Sequence, residues 1–324
     1  MTELNKQRAI IIGAGPCGMS AAIELQNQGI DPLIIEKGNI AETIYRYPTH
    51  QTFFSSSEKL EIGNVAFITA SQKPVRLDAL AYYRSVAMRK ELCVRNYEKV
   101  LTIQKNENLF EVLTDQRTYL TENCIVATGY YGQPNMLNIP GEDLPKVSHY
   151  FKEAHPYYQK DVVVIGGKNS AVDAAIELHK AGARVTVLYR GSEYSPSVKP
   201  WILPLLESLV EKGEVTFIFN AEPTSISDQE LTFSVNGQTK TITNDFVFAM
   251  TGYHPDYNLL KSAGVEIDKV TGSPVHSEET YETNVPGLYI AGVVAAGYNN
   301  NSIFIENGRF HGEKIAKHIA RNLK

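Results

Sequence analysis

The chain has 324 residues, 43% of them apolar, with 31 basic against 36 acidic side chains and a formal net charge of −5. That length predicts about two domains of ordinary size, and the mild negative balance excludes a nucleic-acid or membrane-surface partner. No apolar stretch approaches the roughly 20 residues that span a bilayer, and the first residues lead into a strand without a secretory pattern, so the expected compartment is the cytoplasm.

Residues 9–12 are continuously apolar, as a strand buried on both faces must be. They break into Gly13, Gly15 and Gly18 before a helical run to Leu25. At this spacing the first glycine allows a tight turn, the second a close backbone approach to a pyrophosphate, and the third close helix packing. The phosphates would then sit on the amides and the positive dipole end of the helix. A second strand over residues 32–36 ends in Glu36, 18 residues after Gly18. Its carboxylate is expected to accept from ribose hydroxyls.

Residues 43–57 are polar and aromatic with little helical periodicity. They form either a wall around a flat cofactor ring or a solvent-exposed loop. A helix started by Asp78 follows, then short alternating strands over residues 93–95, 100–103 and 109–113. The strand that begins at Cys124 ends in Ala127, Thr128 and Gly129, small enough to let the backbone pass close to a bound cofactor. Prolines and glycines over residues 130–141 suit a connector, with a boundary near Pro134.

The pattern then recurs. A strand from Asp161 runs into Gly166 and Gly167, with Lys168 in the middle glycine position, and a helix begins through Asn169 and Ser170. A lysine beside a pyrophosphate is electrostatically reasonable. The next strand ends in Arg190, where an NAD site usually carries an acid. An arginine there takes a 2′-phosphate in a bidentate contact, which favours NADPH over NADH; the alternative is an ordinary solvated strand end. Lys168 and Ser192 are candidate helpers. Further strands fall over residues 215–219, 231–235, 245–250 and 287–292, and a C-terminal helix over residues 303–320. Its N-terminus is placed to point amides at a flavin carbonyl.

Together, the glycine loop from Gly13 to Gly18, the Ala127-Thr128-Gly129 turn, the second loop from Gly166 to Ala171 and the strand from Leu288 to Gly292 resemble the two-dinucleotide-domain flavoproteins related to thioredoxin reductase. The motif order matches over essentially the whole chain. More narrowly, the cysteine inside the first loop, the second-loop variant and the stretch from Tyr47-Pro48 to Phe53-Phe54-Ser55 resemble the bacillithiol-disulfide reductases of low-GC Gram-positive bacteria. The resemblance implies an α/β fold of two Rossmann-like, three-layer ββα dinucleotide-binding domains, with an NADPH domain inserted into an FAD domain. It divides the chain into residues 1–133 and 257–324 for FAD and 134–256 for NADPH. The FAD contacts implied are Gly13, Gly15, Pro16, Gly18, Glu36, Lys37, Thr43, Gly129 and Gly292. Those for NADPH are Gly166, Gly167, Lys168, Asn169, Ser170 and Arg190.

Two departures bear on chemistry. Residues 148–153 stand where thioredoxin reductases carry a redox Cys-x-x-Cys, so dithiol relay to thioredoxin is excluded. Gly292 is followed by Val293 where the family usually has an aspartate on the FAD ribityl chain. The resemblance implies an NADPH-consuming reductase of a small-molecule disulfide, most closely bacillithiol disulfide. A flavin monooxygenase, a ferredoxin-type NADPH reductase and a flavin-bound redox sensor remain alternatives, although Asp143 and Pro145 stand where the monooxygenase fingerprint has Phe and Gly.

Three cysteines, Cys17, Cys93 and Cys124, make no even disulfide framework and no Cys-x-x-Cys pair, so neither a structural disulfide nor a metal site is expected. Cys17 is the candidate catalytic residue. A helix N-terminus stabilises a thiolate and lowers its pKa, and the thiolate could attack a disulfide. The alternative is a small residue tolerated where alanine is common. Cys93 and Cys124 are expected to pack in the core. His50, His149, His254 and His311 are candidate proton donors, and a homo-oligomer is expected because closed homo-oligomers are the commonest assembly.

Overall fold

The structure is a computed structural model that describes residues 5–299 and 301–322. Strand β1 (Asn5–Ile12) leads into α1 (Pro16–Asn27), β2 (Leu33–Ile35), α2 (Glu42–Arg46), α3 (Arg76–Arg89) and β3 (Val94–Arg95), then the meander β4 (Val100–Asn106), β5 (Leu109–Thr114) and β6 (Thr118–Val126). There follow β7 (Val147–Ser148), β8 (Asp161–Ile165), α4 (Asn169–Lys180), β9 (Arg184–Leu188), α5 (Leu203–Glu211) and β10 (Val215–Ile218). A second meander, β11 (Ala221–Ile226), β12 (Glu230–Val235) and β13 (Gln238–Thr243), precedes β14 (Phe246–Ala249). The chain closes with α6 (Tyr257–Ser262), β15 (Leu288–Ile290), α7 (Ile305–Gly308) and α8 (His311–Asn322).

These elements form two compact units of mixed α/β, Rossmann-type construction. The first comprises Met1–Tyr45, Gln51–Gln133 and Tyr253–Lys324; the second comprises Arg46–His50 and Pro134–Gly252. The short stretch Arg46–His50 packs with the second unit because the Thr49 amide donates to the Lys152 carbonyl at 2.8 Å and the His50 ring bonds Asp173 at 3.0 Å.

In the first unit the sheet runs β3-β2-β1-β6-β5-β4, with β15 also on β6. Strand β6 pairs with β1 along one edge and serves two further partners in turn along the other. Its beginning pairs antiparallel with β5, and its end, Cys124–Val126, pairs parallel with β15. The meander thus diverges from the parallel sheet and covers one of its faces. Ile10 and Ile12 enter a core with Leu33, Val112 and Ile290, while Ile11 on the opposite face is fully buried as well. Burial on both faces is the reason β1 reads as an unbroken apolar run, each such side chain contributing roughly 1.5–3 kcal/mol.

The second unit repeats the scheme with a parallel sheet, β10-β9-β8-β14-β7, and a separate three-stranded antiparallel meander. Val162 and Val164 of β8 pack with α4 and α5 residues such as Val172 and Leu206. Val163 and Ile165 alternate to the other face, against Leu231 and Phe233 of the meander.

Two elements differ from the sequence expectation. Asp78 does not start α3: its carboxylate accepts from the Val75 amide at 3.0 Å, and the helix already begins at Arg76. The C-terminal helix is broken into α7 and α8, because the Ser20 hydroxyl of α1 donates to the Arg309 carbonyl at 2.7 Å and fixes the chain between them. Helix α8 then lies so close on α1 that a Cβ at Gly312 would meet the Cα of Ala21 at 2.6 Å. An alanine in a helix ordinarily gains about 0.5–1 kcal/mol over glycine. We expect Gly312→Ala instead to lose ~1–3 kcal/mol in denaturant unfolding, since overpacking dominates here; a gain would show that the two helices can separate.

Candidate functional site

Two glycine loops of the same construction end the first strand of each unit. The Gly13 amide donates to the Ile35 carbonyl at 2.8 Å, and the Gly166 amide to the Leu188 carbonyl at 2.9 Å. Gly13 has φ of +110° and Gly166 of +138°. A side chain at either would strike a backbone carbonyl, Ala127 O at 2.6 Å or Met250 O at 2.5 Å. In both units the neighbouring strand, β6 or β14, therefore passes directly beneath the loop and turns away through a Thr-Gly pair, Gly129 at φ +67° and Gly252 at φ +91°.

The loops diverge where a ligand would approach. A Cβ at Gly15 would meet nothing within 4 Å, whereas one at Gly18 would collide with the Gly13 carbonyl. Gly15, the N-cap of α1, thus faces open space, and Gly18 packs helix on loop. This is the cradle a pyrophosphate requires. In the second loop Ala171 replaces the last glycine, and the exposed Lys168 is the N-cap of α4. Gly167 is glycine for a local reason: the Tyr189 ring covers its face, and any Cβ there would collide with the ring atoms. The same ring lies against Gly191.

Glu36 is buried and braces the first loop, its carboxylate accepting from the Ala14 and Gly38 amides at 2.8 Å each. Burial pushes its pKa up, and the two amide bonds oppose that shift. A carboxylate has about four acceptor sites, so capacity remains for ribose hydroxyls. Lys37 is exposed beside Gly132, and Thr43 is half-buried on α2. Around the second loop Ser170 and Arg190 are exposed. The Asn169 amide is engaged on both sides, donating to Ser197 O and accepting from the Lys199 amide at 2.9 Å each. It therefore positions the backbone of the 197–199 loop beside the second loop; sequence pattern offered no signal for this, nor for the Tyr189 ring.

Cys17 lies in the first turn of α1, yet its thiol is not lowered. Burial pushes it up to about 12, and the Glu306 carboxylate adds to the rise. The sulfur is wedged between two chain segments, 2.9 Å from a Cβ position at Gly292 and 3.0 Å from one at Gly308. Glu306 in turn accepts from the Ser55 hydroxyl, and Phe53 is tied to Pro74 by its amide, so residues around 52–55 are held on two sides. Cys124 is buried in β6 as expected, while Cys93 is exposed rather than in the core.

Each candidate histidine has a partner. His50 bonds Asp173, His149 approaches Glu142 at 3.3 Å, and His254 Nδ1 is 2.8 Å from the Pro255 carbonyl. His311 Nδ1 accepts from the Gly292 amide at 3.2 Å, and its ring stacks on Tyr281 at 3.9 Å. Burial, then Lys314 and His276, lower its pKa from about 6.5 to about 4. Among the described residues no His, Cys, Asp or Glu cluster is arranged to hold a metal, and no helix is long and apolar enough to cross a membrane.

The pyridine nucleotide-disulphide oxidoreductase family model matches residues 10–292. The chain is 63% identical to bacilliredoxin reductase Bdr of Bacillus subtilis (strain 168), over 98% of each. It also matches structures of bacillithiol disulfide reductase Bdr (YpdA) from Bacillus cereus and Staphylococcus aureus, with TM-scores of 0.97 and 0.96 at 60% and 56% identity. Those matches cover 98% and 99% of this chain and 100% of each of the others.

Because His311 is held neutral when folded, the unfolded chain takes up a proton first as pH falls. We expect stability to drop by up to about 3 kcal/mol between pH 6.5 and 4, and His311→Gln to flatten that part of the profile. An unchanged slope in denaturant midpoints would show that other groups carry it.

Proposed function

The chain belongs to the pyridine nucleotide-disulphide oxidoreductase family, and from that premise we propose that it is an FAD-dependent enzyme that uses NADPH to reduce a low-molecular-weight disulfide, bacillithiol disulfide foremost. The balance is NADPH + H⁺ + RSSR → NADP⁺ + 2 RSH. The observation that carries this proposal is the duplicated glycine loop, one in each unit, together with the high identity to proteins named for that substrate.

In the first unit Gly13, Gly15, Pro16, Gly18, Glu36, Lys37, Thr43, Gly129 and Gly292 would hold FAD. The open face of Gly15 and the spare acceptor sites of Glu36 support this. In the second, Gly166, Gly167, Lys168, Asn169, Ser170 and Arg190 would hold NADPH, Asn169 also positioning the Lys199 backbone. The exposed Arg190 and Lys168 suit a 2′-phosphate and a pyrophosphate. When bound, FAD supplies the two-electron chemistry that links nicotinamide to disulfide.

Cys17 is proposed as the exchanging thiol. Its sulfur bonds to one acceptor sulfur as the acceptor's own S–S bond breaks, and the first thiol leaves with a proton. Two electrons from NADPH and two protons then cleave the mixed disulfide, releasing the second thiol and restoring Cys17. Burial and the Glu306 carboxylate raise the Cys17 pKa, so the half-buried thiol keeps its proton at neutral pH and must lose it for exchange. We place the enzyme in the cytoplasm as a homo-oligomer; three free cysteines suit a reducing compartment.

The test is anaerobic NADPH oxidation by the flavin-loaded protein with bacillithiol disulfide, alongside bacilliredoxin, the acceptor in the name of the Bacillus subtilis relative. We expect Cys17→Ala to lose disulfide turnover by ~100-fold or more while flavin reduction by NADPH persists. Unchanged turnover removes Cys17 from the chemistry, and no turnover in the wild type removes the substrate. Arg190→Ala should raise KM for NADPH by about tenfold and leave KM for NADH unchanged; equal effects on both would reduce Arg190 to a solvated strand end.

A further inference from the structure

On the α8 side of the first unit lies a cavity of about 630 Å³ that includes none of the residues assigned above to FAD or NADPH. One wall is Tyr281, a bulky side chain held at φ +58°. Such a residue in the left-handed region is a strained outlier that persists only where the surroundings fix it, and strain of this kind collects at ligand sites. Here the Tyr281 amide donates to Ser277 O at 2.8 Å, and its carbonyl accepts from Ile290 of β15 at 3.0 Å. The ring is thereby presented beside the cavity, stacked between His276 and His311.

Two opposite charges line the cavity with that ring. Lys314 Nζ stands 5.3 Å from the ring centroid and donates one proton to the Glu278 carbonyl at 3.2 Å, leaving two donors for a ligand. Glu278 lines the same cavity, and its negative charge is felt at the Tyr281 hydroxyl. An ammonium and a carboxylate that line one cavity beside an aromatic wall match a zwitterion, a molecule carrying both an acid and an amine.

One wall of the cavity reaches the packing around Cys17. Ile303, on its lining, and the Cys17 sulfur flank the same backbone point, 3.2 Å and 3.0 Å from a Cβ position at Gly308. By a second route, Tyr281 stacks on His311, which holds the Gly292 amide against which the Cys17 sulfur packs.

We propose that this cavity docks the acceptor disulfide and selects one built from a zwitterionic thiol, its carboxylate on Lys314 and its amine on Glu278. This rests on the disulfide-reductase function proposed above and names the place and charge pattern of its substrate. The test compares bacillithiol disulfide, which carries amines and carboxylates, with uncharged bis(2-hydroxyethyl) disulfide in the flavin-loaded wild type, Lys314→Met and Glu278→Gln. Both changes are at the surface; Gln keeps the length of Glu, and Met is an unbranched chain one atom shorter than Lys. Each variant should lower the ratio of kcat/KM for bacillithiol disulfide to that for the uncharged disulfide by the order of ten- to a hundredfold. Calorimetric binding of bacillithiol disulfide to the oxidised protein should weaken in parallel. An unchanged ratio with unchanged binding overturns the proposal, as does loss of bound FAD from the variants, which would make the cavity part of the flavin site. A wild type that binds the disulfide but turns over neither acceptor overturns the reductase function alone, and one that binds none overturns the docking site.

Discussion

The contact on which both units are built is the one between a glycine Cα and a carbonyl of the neighbouring strand. At Gly13 and again at Gly166, three strands converge so tightly that no side chain fits between the loop and the carbonyl of Ala127 or Met250. Because each loop amide is already committed to the adjacent strand end, the helix that follows leaves in one direction only, with its first turn facing outwards. The dipole and the amides of that turn are then available to an anion at little cost in reorganisation. The differences between the loops follow from what lies on top of this shared base: open space over Gly15, a tyrosine ring over Gly167.

In the first unit the C-terminal segment completes what the N-terminal segment starts. Strand β15 extends the parallel sheet beside β6, α8 packs on α1 through Gly312, and Gly292 and Gly308 close over the Cys17 sulfur. This closure reverses the chemistry that helix position alone would assign to Cys17. A helix N-terminus contributes typically 0.3–1 kcal/mol to a negative charge. Burial that lifts the thiol from 9.0 to about 12 corresponds to about 4 kcal/mol in the opposite direction. Desolvation dominates over the helix dipole at this position.

The same return of the chain creates a second side to the site. Tyr281 is held by Ile290 of β15 while His311 and Lys314 lie on α8, so these side chains come together only once both elements are in place, and Ile303 of the cavity wall meets the Cys17 sulfur at Gly308. Neither the histidine pairings nor this cavity has a linear pattern. His311 and Gly292 are 19 residues apart, and no spacing rule joins an imidazole nitrogen to a glycine amide.

Local rules were enough for the glycine loops, the acid just after β2, the arginine two residues beyond β9 and the alternation of two parallel sheets with their helices. Each depends on neighbours in the chain: the apolar runs of β1 and β8, the turn residues after them, and the period of the helices that follow. The sequence by itself therefore determined the two glycine loops and their order. Tertiary structure alone decided the state of Cys17, the break between α7 and α8, the exposure of Cys93 and the role of Asn169. Those properties are set by desolvation and by hydrogen bonds from distant segments, Glu306 and Gly308 at Cys17, Ser20 at Arg309, Lys199 at Asn169, and such terms exist only once the chain has closed on itself.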